Sequence, residues 1–504
     1  MELSPSLLTG LHEALATPRL LACFAGAVVG TAIGVLPRLG ALAVLALLLP
    51  LVRWLDPTSA LILLAAVVYG SQYGASTTAI LMQGGDPGND SGSAADGYQM
   101  ACQGRGGVAL TVAALGSCFA GCVVTLLLAL LAQPLTELAF RFGAPEYFAL
   151  MVLGLVGAAV FASGSVLKAL CMAVLGLLLA QIGTDAVTHE ARFVLGFVPL
   201  VRPEGLGFVV VALGLFGIGQ ILVQLAARSV EGPVAPQGVT RPALTAEDAR
   251  EAVPSVLRGT VLGALLGVLP GAGAALASFA SYLTERRLTQ QPRVPFGRGA
   301  IQGVAGPESA NNAGAQASFI PVLTLGIPPN ALMALIAGAM MLHGLTPGPQ
   351  IISTQPVLFW GLVASMWVGN ALLLLLNLPL VGVWSRLLVV RYRWVVPALV
   401  LLAGLGAYSL RGSVFDVEAV AVIALAAAAF HALGCEPAPL LLGYVLAGPM
   451  EDNLRRTLAL SGGDWGLFIT RPWSAGFLAV AALLIVGVML PSIRTRREEA
   501  FHEG

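Results

Sequence analysis

Gly259-Thr-Val-Leu-Gly263-Ala-Leu-Leu-Gly267-Val-Leu-Pro270-Gly-Ala-Gly273 is apolar enough to lie in hydrocarbon, yet it carries a proline that a regular helix does not hold. Pro270 removes a backbone donor and two glycines follow it, so the stretch predicts a helix broken at depth. Such a break leaves amide N–H groups outside the ladder, and amides at a helix N-terminus attract a carboxylate. Pro270, Gly271 and Gly273 are therefore candidate substrate-binding positions. The same pattern stands earlier, as Gly26-Ala-Val-Val-Gly30-Thr-Ala-Ile-Gly34-Val-Leu-Pro37-Arg-Leu-Gly40. Five glycine and proline positions match at one spacing of 233 residues, from Gly26 with Gly259 to Gly40 with Gly273. The halves are internal repeats. The Gly-x3-Gly-x3-Gly spacing sets small residues on one helix face, where a second backbone can approach closely.

Outward from these motifs the chain reads as a membrane protein. Of its 504 residues, 57% are hydrophobic and 10% charged, against about 25% charged in soluble proteins. A chain solvated by lipid keeps ionisable groups at its edges or inside its bundle. Apolar runs recur near 20–36, 39–55, 59–82, 107–132, 145–162, 165–183 and 206–227. A second series lies near 257–283, 313–326, 330–345, 356–384, 394–410, 416–433, 437–448 and 473–491. The expected fold is an all-α polytopic membrane protein of about twelve to fourteen segments, some broken or re-entrant, in two repeats. The repeats are expected to be inverted, as an odd number of crossings per half would make them. The expected divisions are an N-terminal segment 1–18, repeats over 19–228 and 257–491, a polar linker 229–256, and a tail 492–504. Residues 1–18 lack a signal-peptide pattern, so the first membrane segment is expected to direct insertion. Arg286, Arg287, Arg293 and Arg298, the tail arginines 494, 496 and 497, and the cluster Arg386, Arg391 and Arg393 read as cytoplasmic.

A net charge of zero gives no footprint for nucleic acid. Cys118 and Cys122 share one helix face but have no histidine near them, so they read as small core residues and no metal is expected. Polar groups gather in three places. Tyr69-Gly-Ser-Gln-Tyr-Gly-Ala-Ser-Thr-Thr78 offers hydroxyls suited to binding, Ser76 and Thr77 among them. It leads into Gln83-Gly-Gly-Asp-Pro-Gly-Asn-Asp90 and Asp96-Gly-Tyr98, which read as a solvated loop. In Gly303-Val-Ala-Gly-Pro-Glu-Ser-Ala-Asn-Asn-Ala-Gly314, Gly306-Pro307 is expected to end one element and Ser309 or Glu308 to cap the next. Asn311 and Asn312 offer oxygen ligands for a cation such as Na⁺ and donors for a carboxylate, and Glu308 could bind a proton or a cation. These three are the coupling-ion candidates. Phe319-Ile-Pro-Val-Leu-Thr-Leu-Gly-Ile-Pro-Pro-Asn330 predicts a second mid-membrane break at Gly326 and Pro328, with Asn330 capping a helix that follows. His343-Gly-Leu-Thr-Pro-Gly-Pro349 reads as a turn.

These motifs, in their order, resemble the large membrane subunit of the tripartite tricarboxylate transporter family over nearly the whole chain. The specific matches are Leu269-Pro-Gly-Ala-Gly273, Phe296-Gly-x-Gly299, Gly303–Ala313, Thr324-Leu-Gly-Ile-Pro328, Gly344-x-x-Pro-Gly-Pro349, Asp96-Gly-Tyr-x-Met-Ala-x-x-Gly104 and Gly448-Pro-Met-Glu-Asp-Asn-Leu-Arg-Arg456. The resemblance implies a secondary carrier in a bacterial inner membrane, without an organic cofactor, driven by a Na⁺ or H⁺ gradient. It also implies a small four-helix membrane subunit, a periplasmic solute-binding protein, and a small carboxylate as substrate. The sequence departs from the family pattern at Arg38, at Gln83–Asp86 and at Pro329. Arg38 either pairs a carboxylate beside Gly40 or fills the site and alters specificity. A polytopic membrane enzyme, such as a lipid or glycosyl transferase, is the alternative class. Its expected cluster of titratable groups is not seen among five scattered histidines. A degenerate, non-transporting subunit is a third.

Overall fold

The computed structural model describes residues 3–36, 40–82, 93–162, 164–185, 187–202, 205–226, 244–388 and 392–489. Pro37, Arg38, Gln83–Asp90, the linker residues 229–243, Arg391 and the tail 492–504 lie outside the described residues. Among the described residues, nine helices are long and apolar enough to cross a membrane and four shorter apolar helices accompany them, thirteen in all. That number falls inside the sequence expectation. Among the described residues, strand is confined to a two-stranded ribbon, Gly183–Thr184 with Ala191–Arg192.

Helix starts follow local chemistry. Asp56 accepts the Ser59 amide at 3.1 Å, with Pro57 as the first residue of the helix Pro57–Leu81. Thr245 and Asp248 exchange side-chain and backbone hydrogen bonds in a capping box that opens the helix Ala246–Val268. That helix runs without interruption through position 256, where the sequence placed the end of the linker.

Each glycine face packs on one later helix. A Cβ at Gly26, Gly30 or Gly34 would meet the carbonyl oxygen of Leu63, Val67 or Ser71, each 37 residues further on. A Cβ at Gly259, Gly263 or Gly267 would meet those of Gly306, Ala310 or Gly314, each 47 residues on. Every one of these approaches is 2.5 Å or less, so the helix pairs are closer than any side chain permits. Each pair runs parallel, with a short return helix between its members: Ala41–Val52 in the first half and Gly273–Leu288 in the second. The halves face opposite ways. Ser76 lies beside Glu308, and Tyr69 stacks near Phe319 with ring centres 6.4 Å apart. The chain therefore descends from 76 to 69 on one helix as it rises from 308, on Gln302–Ala317, to 319, at the start of the next helix Phe319–Leu325, so the two units are inverted.

The helix Pro57–Leu81 is central, with 89% of its span buried, whereas Trp394–Arg411 is only 17% buried and faces outward. The structure corrects two sequence readings. Gln302–Ala317 is one continuous helix with Pro307 inside it, so Gly306-Pro307 ends nothing and neither Glu308 nor Ser309 is a cap. The sequence reading took proline as a stop, but this proline costs one ladder bond, to Gly303, in a helix whose residues are all buried and supported by neighbours. Asp96 lies in the helix Ser93–Cys102 and is fully buried, not in a solvated loop. Its carboxylate accepts the amides of Gly299 and Ala300 at 2.7 and 2.9 Å, which holds the start of the helix Gln302–Ala317.

Candidate functional site

Both breaks of the second half occur where proline and glycine put them. The helix Ala246–Val268 stops before Pro270, and Gly271 and Gly273 take left-handed backbone at φ +81° and +61°. The helix Phe319–Leu325 stops at Gly326, φ +75°. The breaks are bonded to one another, since the Gly271 amide donates to the Pro329 carbonyl at 2.7 Å. Ser318 Oγ donates to the Gly267 carbonyl at 3.0 Å and accepts from Asn330 Nδ2 at 3.2 Å. Gly271 is thus a structural joint whose amide is already engaged. A side chain there would strike the Gly157 carbonyl, 2.5 Å from an ideal Cβ.

A cavity of about 320 Å³ opens beside this joint. The first turns of three helices line it: Gly40 to Leu42 of Ala41–Val52, Gly273 to Ala275 of Gly273–Leu288, and Asn330 to Leu332 of Ala331–Leu342. Neither of the first two has a side-chain cap. Asn330 caps the third, accepting the Met333 amide at 3.0 Å, as the sequence led one to expect. Two of these helices have 12 residues, about 18 Å, and a bilayer core is about 30 Å thick, so the cavity sits at mid-depth. Ser71, Gln72, Gln220 and Asn311 supply the polar side chains. Three helix N-termini around one cavity make a region of positive potential with little competing charge.

Ser76, Thr77, Glu308 and Asn312 lie elsewhere. Ser76 Oγ donates to Glu308 Oε2, and Asn312 Nδ2 donates to Ser117 Oγ at 2.7 Å. Glu308 and Asn312 are both wholly buried, and the space beside Ser76, Thr77 and Ser117 is only about 10 Å³. That is roughly the room for one water or a bare ion. Asn312 Oδ1 has no hydrogen-bond partner among the described residues. Thr77 Oγ1 donates to the Tyr73 carbonyl at 3.3 Å. The polar lane continues one turn on, where Gln316 accepts from Thr125 Oγ1 at 2.8 Å and a Cβ at Gly121 would meet both Gln316 and Asn370.

The predicted residues therefore separate. Gly40, Gly273, Asn311 and Asn330 line the cavity, and Ser76, Thr77, Glu308 and Asn312 form the closed cluster. Pro270, Gly271 and Pro328 build the breaks, and Gly326 borders a different cavity. Arg38 lies outside the described residues. Sequence reasoning missed Gln72, Gln220, Ser117, Gln316 and Asn370. Two of these carried a signal: Gln72 lies in the polar stretch Tyr69–Thr78, and Gln316 stands two turns after Glu308 on the same helix face.

Fold and site together define a multi-pass membrane protein of the transporter type, with inverted units whose discontinuous helices enclose a mid-depth cavity. The chain belongs to the tripartite tricarboxylate transporter TctA family, whose model matches residues 20–442. Over 503 residues it is 50% identical to an uncharacterized 52.8 kDa protein in the TAR-I ttuC′ 3′ region of Agrobacterium vitis, covering 100% of this chain and 99% of that protein. A protein in the TAR-II ttuC′ 3′ region of the same organism is 53% identical over 241 residues, covering 48% of this chain and 99% of its own length. No solved structure matches the chain.

Proposed function

We propose that this chain is the carrier subunit of a tripartite secondary transporter that imports a small di- or tricarboxylate. The observation that carries the reading is the convergence of three helix N-termini, two without side-chain caps, on one mid-depth cavity. Amides and helix dipoles at Gly40, Gly273 and Asn330, with Asn311 beside them, stabilise an anion where lipid would exclude one. The coupling cation, Na⁺ or H⁺, binds in the Ser76–Glu308–Asn312 cluster, where Ser76 and Ser117, which line a volume of ionic size, are hydrogen-bonded to the Glu308 carboxylate and to Asn312. Asn311 and Asn312 share one helix, so filling either site bears on the other, and rocking of one unit against the other follows when both are filled. The setting is a bacterial inner membrane, with a small four-helix subunit and a periplasmic binding protein completing the system.

Uptake of labelled carboxylates into a deletion strain, with all three components restored, tests the reading. Accumulation that needs this chain and collapses with one ion gradient supports it and names the ion. Absence of accumulation for every carboxylate, with the chain inserted, overturns it.

A further inference from the structure

A larger cavity, of about 500 Å³, lies on the other side of the Gly326 break. Phe140, Tyr147, Met341, Gln350, Asn453 and Arg456 are among its lining residues, and Gly326 forms part of its floor. The volume falls in the range of roughly 300–1,000 Å³ typical of small-molecule sites, as does the mixture of aromatic wall and few polar groups. Its position is set by the helix Gly106–Ala139. The 34 residues of that helix span about 50 Å, more than a bilayer core, so its ends lie at opposite faces. Arg105, just before it, pairs with Asp248 at 2.6 Å, next to Glu247, which pairs with Arg293 at 3.0 Å. Ala139 and Phe140, at the other end, line this cavity. The cavity therefore belongs to the face opposite the arginine loop 286–298, the outer face under the positive-inside rule.

Two adjacent arginines in the Gly448–Arg456 motif have different roles. Arg455 is committed, with its guanidinium 2.6 Å from Asp185 and further paired to Glu451. Arg192 also pairs with Asp185, and with Glu451 at 2.8 Å, so the ribbon 183–192 is clamped on this helix. Arg456 makes no ion pair with a described residue and lines the cavity. Asp452, one turn earlier, lines it as well.

We propose that this outer cavity is a vestibular carboxylate site in which Arg456 receives the anion before it passes the Gly326 break to the central cavity. The inference rests on the carrier reading for its biological sense, but its occupancy is measurable without transport. Arginine presents a planar fork to a carboxylate and keeps its charge at any working pH. The two cavities share one wall. The segment from Gly326 to Leu332 borders the vestibule at its start and the central cavity at its end. A carboxylate held at Arg456 thus stands against the segment that separates the two cavities. Asp452 opposes an anion there, which gives the site a built-in counterweight.

The test uses the full chain with its partner subunits in cells. Gln350→Cys is the reporter, labelled by a membrane-impermeant maleimide and compared with the unsubstituted chain. Citrate at twice its half-saturating concentration leaves about one site in three free, so labelling slows about threefold. Arg456→Gln removes that protection and raises the half-saturating concentration for uptake about tenfold, while Arg456→Lys lies between. Asp452→Asn moves it the opposite way, which a merely structural role of this helix end would not do. Labelling that ignores citrate and every other carboxylate of the panel, or an Arg456→Gln variant with unchanged half-saturation, overturns the vestibular site and leaves the carrier reading standing. Protection without any uptake by the unsubstituted chain overturns the carrier reading and leaves the site standing.

Discussion

Asn311 and Asn312 are neighbours in the chain and lie in unlike surroundings. Asn311 borders an open cavity of about 320 Å³ among helix N-termini, whereas Asn312 is locked against Ser117 in a cluster with almost no free volume. One residue along a helix is a rotation of about 100°, and here that rotation separates a place suited to an anion from one suited to a small cation. The comparison teaches that a family motif read as one site can be two. The cavity offers dipoles and amides without a described carboxylate in its lining, and the cluster offers a carboxylate and an orphan oxygen.

The largest expected effect tests the closed side. Asn312→Ala opens a void beside Ser117 and removes the free oxygen, and transport is abolished while the protein remains in the membrane, as uptake and membrane fractionation would show. Glu308→Gln, which keeps a hydrogen-bonding group for Ser76, sharpens the point: accumulation against a gradient is lost while exchange of labelled for unlabelled carboxylate persists. Wild-type accumulation in either variant would remove the cluster from the coupling mechanism.

Asn311→Ala tests the open side and is milder. Losing one hydrogen bond to a charged group costs about 1.5–3 kcal/mol, so half-saturation rises roughly tenfold or more. The dependence on Na⁺ or H⁺ stays as in the parent, and a change in ion dependence instead would merge the two sites. Gly326→Ala disturbs the break between the outer cavity and the open one. Left-handed backbone and the Pro347 carbonyl, 2.6 Å from an ideal Cβ, together cost about 1–3 kcal/mol. The thermal midpoint in detergent falls accordingly, and an unchanged midpoint would mean that the break is not strained by a side chain.

The smallest effect concerns the clamp beneath the vestibule. Arg455 above all, then the backbone amide of Val187 and the charge of Arg192, hold the Asp185 carboxyl well below the usual range. A depressed folded value means that the contribution is whole above the unfolded value, near pH 4, and is lost as pH falls through the folded one. The protection factors of the Thr184 and Asp185 amides, which donate to the Arg202 and Glu190 carbonyls at 2.9 Å, are therefore expected to hold down to about pH 4 and to fall below it. Asp185→Asn removes that acid dependence, and a parent profile flat through strong acid would show that the ion pairs do not hold the ribbon.

Much of this architecture was legible without coordinates, and the reason is locality. Hydropathy runs, the glycine faces at a spacing of 233 residues, the breaks at Pro270–Gly273 and Gly326, and the Asn330 cap each depend on residues within a turn or two of one another. Local sterics and solvation by lipid act on such stretches directly. Pro307 was misjudged because a proline costs a single ladder bond, which burial on all sides can offset, and Asp96 because its partners stand some 200 residues away. Tertiary structure alone decided that the two units are inverted, that Glu308 meets Ser76 across 232 positions, and that Gln220 joins Gly40 and Asn311 around one cavity. Contacts of that range follow from how helices pack, and helix packing is a property of whole faces that no single stretch of sequence contains.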